Sequence, residues 1–113
     1  MGESLLDMNV VAELRDVMGE QFGFLCERYI ADAGQRLEAM AAAVAAKDVD
    51  TLRAQAHSLK GASANLGALG LADMCLAMEQ LAKTGSWEAA EGQLQELQRE
   101  GASVMAKLPQ LAG

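Results

Sequence analysis

The sequence predicts an all-α protein: an antiparallel up-down-up-down four-helix bundle with a short additional N-terminal helix. Its 113 residues include one proline and only 4% aromatic residues. Much of the 51% hydrophobic fraction is Ala, Leu and Met, which favour helices. Apolar residues also recur at three- and four-residue steps along most of the chain. The length suits a single domain over residues 1–113.

The first two helices are predicted over residues 9–18 and 20–47. Asn9 is the expected N-cap of the first helix, and Gly19 ends it. The inward positions expected in the first helix are Leu14, Val17 and Met18. Those of the second are Phe22, Leu25, Cys26, Tyr29, Ile30, Ala33, Leu37, Met40 and Val44.

Three further helices complete the predicted bundle. The third follows an N-cap at Asp48 and continues until Gly67, which suits the left-handed position that ends many helices. The fourth spans residues 69–83. The fifth follows an N-cap at Ser86 and ends at Pro109. Short connections between long amphipathic helices make neighbours antiparallel, so helices two to five form the bundle and the first covers one end.

Charge and hydropathy exclude several classes of function. The net charge of −7 repels phosphate backbones, so nucleic acid is not an expected partner. No apolar run approaches the roughly 20 residues that cross a bilayer, and the N-terminus lacks a basic secretory start. Cys26 and Cys75 stand at core spacing and are interpreted as small core residues, with a disulfide as the alternative. We therefore expect a cytoplasmic monomer with no membrane contact and no bound metal.

His57 is the only histidine in the sequence, and it lies at the edge of the apolar stripe of the third helix. Residues three and four positions away share its face, namely Arg53, Ala54, Lys60 and Gly61. Gly61 costs about 1 kcal/mol in mid-helix, which suggests that another molecule comes close there. Lys60 would attract a phosphoryl group. Taken alone, an ordinary half-exposed histidine is the commoner explanation.

Residues 56–67 read AHSLKGASANLG. This segment resembles the signature of histidine phosphotransfer (HPt) domains, roughly H-x-L-K-G-x-S/A-x-x-x-G, and every fixed position matches. The resemblance extends over about residues 9–108 and implies one HPt domain in residues 1–113.

The resemblance implies a role for each matching position. His57 would accept the phosphoryl group through Nε2, Lys60 would lie by the phosphoryl oxygens, and Gly61 would leave room for the partner. Glu79 would accept a hydrogen bond from Nδ1–H and so orient the ring. A solvated edge position is an equal alternative for Glu79.

The resemblance also implies the partners, which are receiver domains of hybrid histidine kinases and of response regulators. These would bring the Mg²⁺, so no cofactor is expected on this chain. The sequence has no nucleotide-binding glycine loop, so we expect a phosphohistidine carrier without ATP binding or autokinase activity. The expected docking residues are Arg53, Ala54, Ser58, Ala64, Met8, Val11 and Phe24. Burial beneath the first helix is the alternative for the last three.

Two other functions remain open at this point. One is a non-catalytic helical adaptor that docks a receiver or kinase domain without phosphotransfer. The other is a kinase-associated domain that docks a receiver and tolerates His57→Gln. The chain's own Met1 and its cap-like first helix favour a stand-alone protein over a piece of a hybrid kinase.

Overall fold

The computed structural model describes residues 5–112, and all of the regular secondary structure in that range is α-helical. The described helices are α1 (Met8–Met18), α2 (Gln21–Ala46), α3 (Val49–Asn65), α4 (Leu69–Thr84) and α5 (Trp87–Ala112). The all-α prediction is confirmed. No described helix is both long enough and apolar enough to pass through a lipid bilayer.

The four long helices surround a common core. α3 packs against α2 and α4, α5 packs against the same two helices, and α1 packs against α2. The core is one cluster of buried apolar side chains drawn from all five helices. In α3 its members are Leu52, Ala56 and Leu59, at the three- and four-residue steps of one helix face. This phase directs the neighbouring His57 away from the core.

Local interactions at the helix ends place α3 and α4. Asp48 caps α3 as predicted, because its carboxylate accepts a hydrogen bond from the Thr51 N–H at 3.1 Å. Gly67 follows α3 with a φ of +86°. A Cβ there would lie 3.0 Å from Asp7 O and from Val10 Cβ, so the turn also requires glycine for space. The Asp7 N–H donates to Gly67 O at 2.8 Å, which fastens the start of α1 to this turn.

Two predicted helix ends were wrong. Asp7, and not Asn9, caps α1: the helix starts at Met8, and the Asp7 carboxylate accepts from the Asn9 N–H at 2.9 Å. Pro109 does not end α5, which continues to Ala112. The proline removes the one N–H that would donate to Met105 O, and because only three residues of α5 follow it, the disturbance is confined to the last turn.

The two cysteines are buried free thiols, so the disulfide alternative is excluded and the core interpretation is confirmed. Cys26 is 1% exposed and Cys75 is fully buried. Burial raises the pKa of Cys26, and it raises the pKa of Cys75 to about 12. Both side chains are therefore protonated, unreactive core groups near neutral pH.

Candidate functional site

His57 stands on the outer surface of α3, with 70% of its side chain exposed. Its chain neighbour Ala56 and the residue one half-turn on, Leu59, are fully buried. Because successive helix positions are about 100° apart, this burial turns the imidazole outward. The ring is therefore within reach of a second protein.

The structure brings a lysine and a glutamate together beside this ring. Glu79 reaches across from α4, and its Oε2 lies 3.4 Å from His57 Nδ1. Its other oxygen, Oε1, lies 2.7 Å from Lys60 Nζ. The side chains of Glu79 and Lys60 are 17% and 28% exposed, so this ion pair is largely shielded from water. One carboxylate thus contacts both the imidazole and the ammonium.

The inner side of the Glu79 carboxylate faces the protein interior. Oε1 is buried and has no hydrogen-bond partner among the described residues. Lys60 Nζ is close enough for an ion pair, but its approach is not aligned as a hydrogen bond. The negative charge of Glu79 also acts on a core residue, because this carboxylate is the second cause, after burial, of the raised pKa of Cys75. Lys60 is therefore the main source of compensation for this carboxylate.

Gly61 leaves open space next to the histidine. The residue is exposed, and a Cβ built at this position would meet no atom within 4 Å. Glycine weakens a helix, and nothing in the packing of this chain requires it at this position. The four docking candidates around His57, which are Arg53, Ala54, Ser58 and Ala64, are all exposed as well.

The docking residues expected on the first two helices have different environments. Met8 and Phe24 are 45% and 59% exposed. Val11 is fully buried, so the expectation that it contributes to docking was wrong. α1 turns Val11 into the core and leaves Val17, which was expected to face inward, 84% exposed. Leu14 and Met18, the other two expected inward residues of α1, do pack against the core, so the prediction fails at Val17 and omitted Val11.

An open groove of about 850 Å³ lies between α1, α2 and the C-terminal part of α3, and the sequence did not predict it. Its apolar wall includes Leu14, Met18 and Leu25, which the helical period assigned to the core. These residues are only partly buried, since three helices meet here without closing. No signal in a single sequence distinguishes a groove wall from a core face, because both have the same period.

Below the groove, two buried hydroxyl groups link α2 to α3. Tyr29 Oη and Ser63 Oγ are 2.7 Å apart. Ser63 is fully buried and Tyr29 is 5% exposed. Burial raises the pKa of Tyr29 to about 12, so the phenol remains neutral. Each hydroxyl satisfies the other in a place that water does not reach.

Fold and site together define a class: a helical protein that presents one accessible imidazole beside a lysine–glutamate pair. The family model described as "Hpt domain" matches residues 25–112. The chain therefore belongs to the Hpt domain family.

Solved structures show the same architecture. The crystal structure of histidine-containing phosphotransfer protein B (HptB) from Pseudomonas aeruginosa PAO1 is 34% identical, with a TM-score of 0.93 over 98% of this chain and 96% of that one. An X-ray structure of a rice protein, proposed to be a histidine-containing phosphotransfer protein, is 19% identical, with a TM-score of 0.84 over 96% of this chain and 82% of that one. The rice protein supports the fold alone. No curated protein sequence matches this chain.

Proposed function

We propose that this protein is a phosphorelay intermediate in which His57 Nε2 accepts a phosphoryl group from a receiver-domain aspartate and passes it to another. Histidine phosphotransfer is the function that the family match and the HptB structure support. The observation that carries the assignment is the exposed imidazole with Nδ1 facing Glu79. A carboxylate oxygen there favours the Nδ1–H tautomer, which leaves the Nε2 lone pair for attack.

The chemistry needs little from this chain beyond a placed nucleophile. Nε2 forms a bond to phosphorus as the bond between phosphorus and the receiver's aspartate oxygen breaks, and the electron pair leaves with that carboxylate. Lys60, one turn along α3 from His57, is a cation available to the phosphoryl oxygens. Mg²⁺ would be held by the receiver domain. The reverse reaction, with a second receiver, hands the phosphoryl group onward.

The docking surface proposed for the receiver is the outer face of α3 around His57, together with Met8 and Phe24 on α1 and α2. Exposure of the four α3 candidates supports this proposal. The groove between α1, α2 and α3 adds an apolar recess beside that face. A transient partner needs such a partly apolar surface to bind.

The remaining features of the proposal concern arrangement and setting. We propose that residues 1–113 form one HPt domain in which α2 to α5 run up-down-up-down. Connections of two or three residues between these helices support that topology. We also propose a monomer in the cytoplasm, where kinases that use ATP supply phosphoryl groups to receivers.

A transfer assay tests the proposed function. Receiver domains carrying ³²P-aspartyl phosphate are mixed with wild type, His57→Gln and a control, Lys107→Gln, which changes an exposed residue of α5. Label should move to wild type and to the control but not to His57→Gln, and it should be labile in acid and stable in alkali. Equal labelling of His57→Gln would refute the assignment. Receiver binding without any labelling would favour the adaptor.

A further inference from the structure

Lys60 already has an anionic partner before any phosphoryl group arrives. Its Nζ lies 2.7 Å from Glu79 Oε1, and both side chains are mostly shielded. In the unphosphorylated protein the one ammonium and the one carboxylate balance each other. A phosphoryl group on His57 adds negative charge to the same site, so a single ammonium then faces two anionic groups.

Moving the ammonium away from Glu79 has a cost. Oε1 is buried and has no aligned hydrogen bond among the residues that the structure describes. If Lys60 turned fully toward phosphoryl oxygens, this oxygen would lose its compensating charge in a site that water hardly reaches. This loss of compensation for Glu79 arises only when His57 is phosphorylated.

We propose that Glu79 is a counter-ion that competes with the phosphoryl group for Lys60, and that this competition keeps the phosphohistidine easy to discharge. The inference rests on the proposed role of His57 and deepens it. Glu79 is a positioning residue here, because it acts on the phosphoryl group through Lys60. Its Oε2 also faces Nδ1, so the phosphorylated ring keeps its Nδ1 proton next to a carboxylate.

Glu79→Gln separates these two effects. The amide has nearly the same shape and can still present an oxygen to Nδ1–H, but it carries no charge and releases Lys60. We therefore expect more phosphohistidine at equilibrium in this variant. An increase of roughly three- to tenfold is expected when one unit charge is removed a few ångströms from a partly exposed site.

The test uses phosphoramidate, a small phosphodonor that needs no docking surface. His57 Nε2 forms an N–P bond, the donor's P–N bond breaks, and ammonia leaves. ³¹P NMR at a fixed ratio of phosphoramidate to ammonia gives the ratio of phosphorylated to free protein. Glu96→Gln is the matched control, since Glu96 pairs with Arg99 on the exposed surface of α5 and its loss changes the net charge equally.

A second variant distinguishes competition for Lys60 from direct repulsion of the phosphoryl group by Glu79. Lys60→Met should lower the ratio, because it leaves the carboxylate beside the phosphoryl group without its cation. If Glu79 acts by competing for Lys60, adding Glu79→Gln to Lys60→Met should raise the ratio much less than Glu79→Gln does in wild type, because no ammonium remains to be released. An equal rise in both backgrounds would mean that the Glu79 charge repels the phosphoryl group directly. Thermal unfolding followed by circular dichroism confirms that each variant is folded.

The outcomes separate the two proposals. Labelled wild type with an unlabelled His57→Gln, but no rise in Glu79→Gln above the Glu96→Gln control, would overturn the competition and leave the proposed function intact. An equal rise on adding Glu79→Gln to wild type and to Lys60→Met would do the same. Wild type that takes no phosphoryl group from phosphoramidate or from a receiver would overturn the proposed function, and the competition with it.

Discussion

The substitution Gly61→Ala should make the protein more stable and a poorer phosphotransfer partner. A Cβ at this position meets nothing within 4 Å, so alanine introduces no strain. Alanine in place of a mid-helix glycine gains about 0.5–1 kcal/mol of helix stability. For a domain of this size, that gain corresponds to a rise of roughly 2–6 °C in Tm.

The same methyl group occupies the surface that a receiver must approach to reach His57. Forcing one extra methyl group into a well-packed contact typically costs about 1–3 kcal/mol. Each 1.4 kcal/mol or so corresponds to a tenfold change in rate. We therefore expect kcat/KM for transfer from a phosphorylated receiver to fall by roughly tenfold.

The assay compares Gly61→Ala with Gly92→Ala. Gly92 is exposed on α5, and a Cβ there also meets nothing within 4 Å. Both variants should unfold at a higher temperature than wild type, but only Gly61→Ala should lose transfer from a receiver. Phosphorylation by phosphoramidate should be unchanged in both, because that donor is too small to touch the methyl group. Unimpaired receiver transfer by Gly61→Ala would refute the clearance argument.

Three further predictions concern the stability of the fold. Tyr29→Phe leaves the Ser63 hydroxyl buried without its partner. Urea titration should show about 1–3 kcal/mol less stability, with little added loss when Ser63→Ala is combined with it. Burial raises the pKa of Tyr29 from 10.0 and that of Cys75 from 9.0 to about 12, so folding keeps both groups protonated where the unfolded chain ionises. The free energy of unfolding should therefore fall as the pH rises from 9 to about 12, and a flat profile would contradict the burial of these groups. Hydrogen bonds from Thr51 lower the pKa of Asp48 from 3.8, so the stability contributed by this cap is present at neutral pH and is lost as the pH falls below that value. Acid titration of Asp48→Asn should lack this component, whereas an identical acid profile would show that the cap carries no charge effect.

The local features of the fold could be predicted because they depend on neighbours along the chain. The apolar period of α3, with Ala56 and Leu59 inward, was enough to place His57 on the surface. Asp48 as an N-cap and Gly67 at a left-handed position follow from interactions within a few residues. The wrong N-cap at Asn9 and the wrong helix end at Pro109 are also local errors, because more than one nearby residue could cap or end each helix.

The orientation of α1 depended on tertiary contacts. Val11 and Val17 belong to a short helix whose apolar residues cover more than one face, so its rotation is decided by what it packs against. The hydrogen bond from the Asp7 N–H to Gly67 O fixes the start of α1 on this turn. In that position Val11 points into the core and Val17 into solvent. The groove beside α2 arises from the same docking, because three helix surfaces must meet to form it.

The sequence by itself determined that the chain is helical and which face of four of its five helices points toward the core. It also determined that His57 is accessible beside a glycine and a lysine. Only the tertiary structure decided that one carboxylate, from Glu79, contacts both the imidazole and Lys60. The physical reason is distance along the chain. Residues on one helix have a fixed spacing, whereas contact between α3 and α4 depends on their rotation and axial offset. Those two quantities are set by the packing of the whole core.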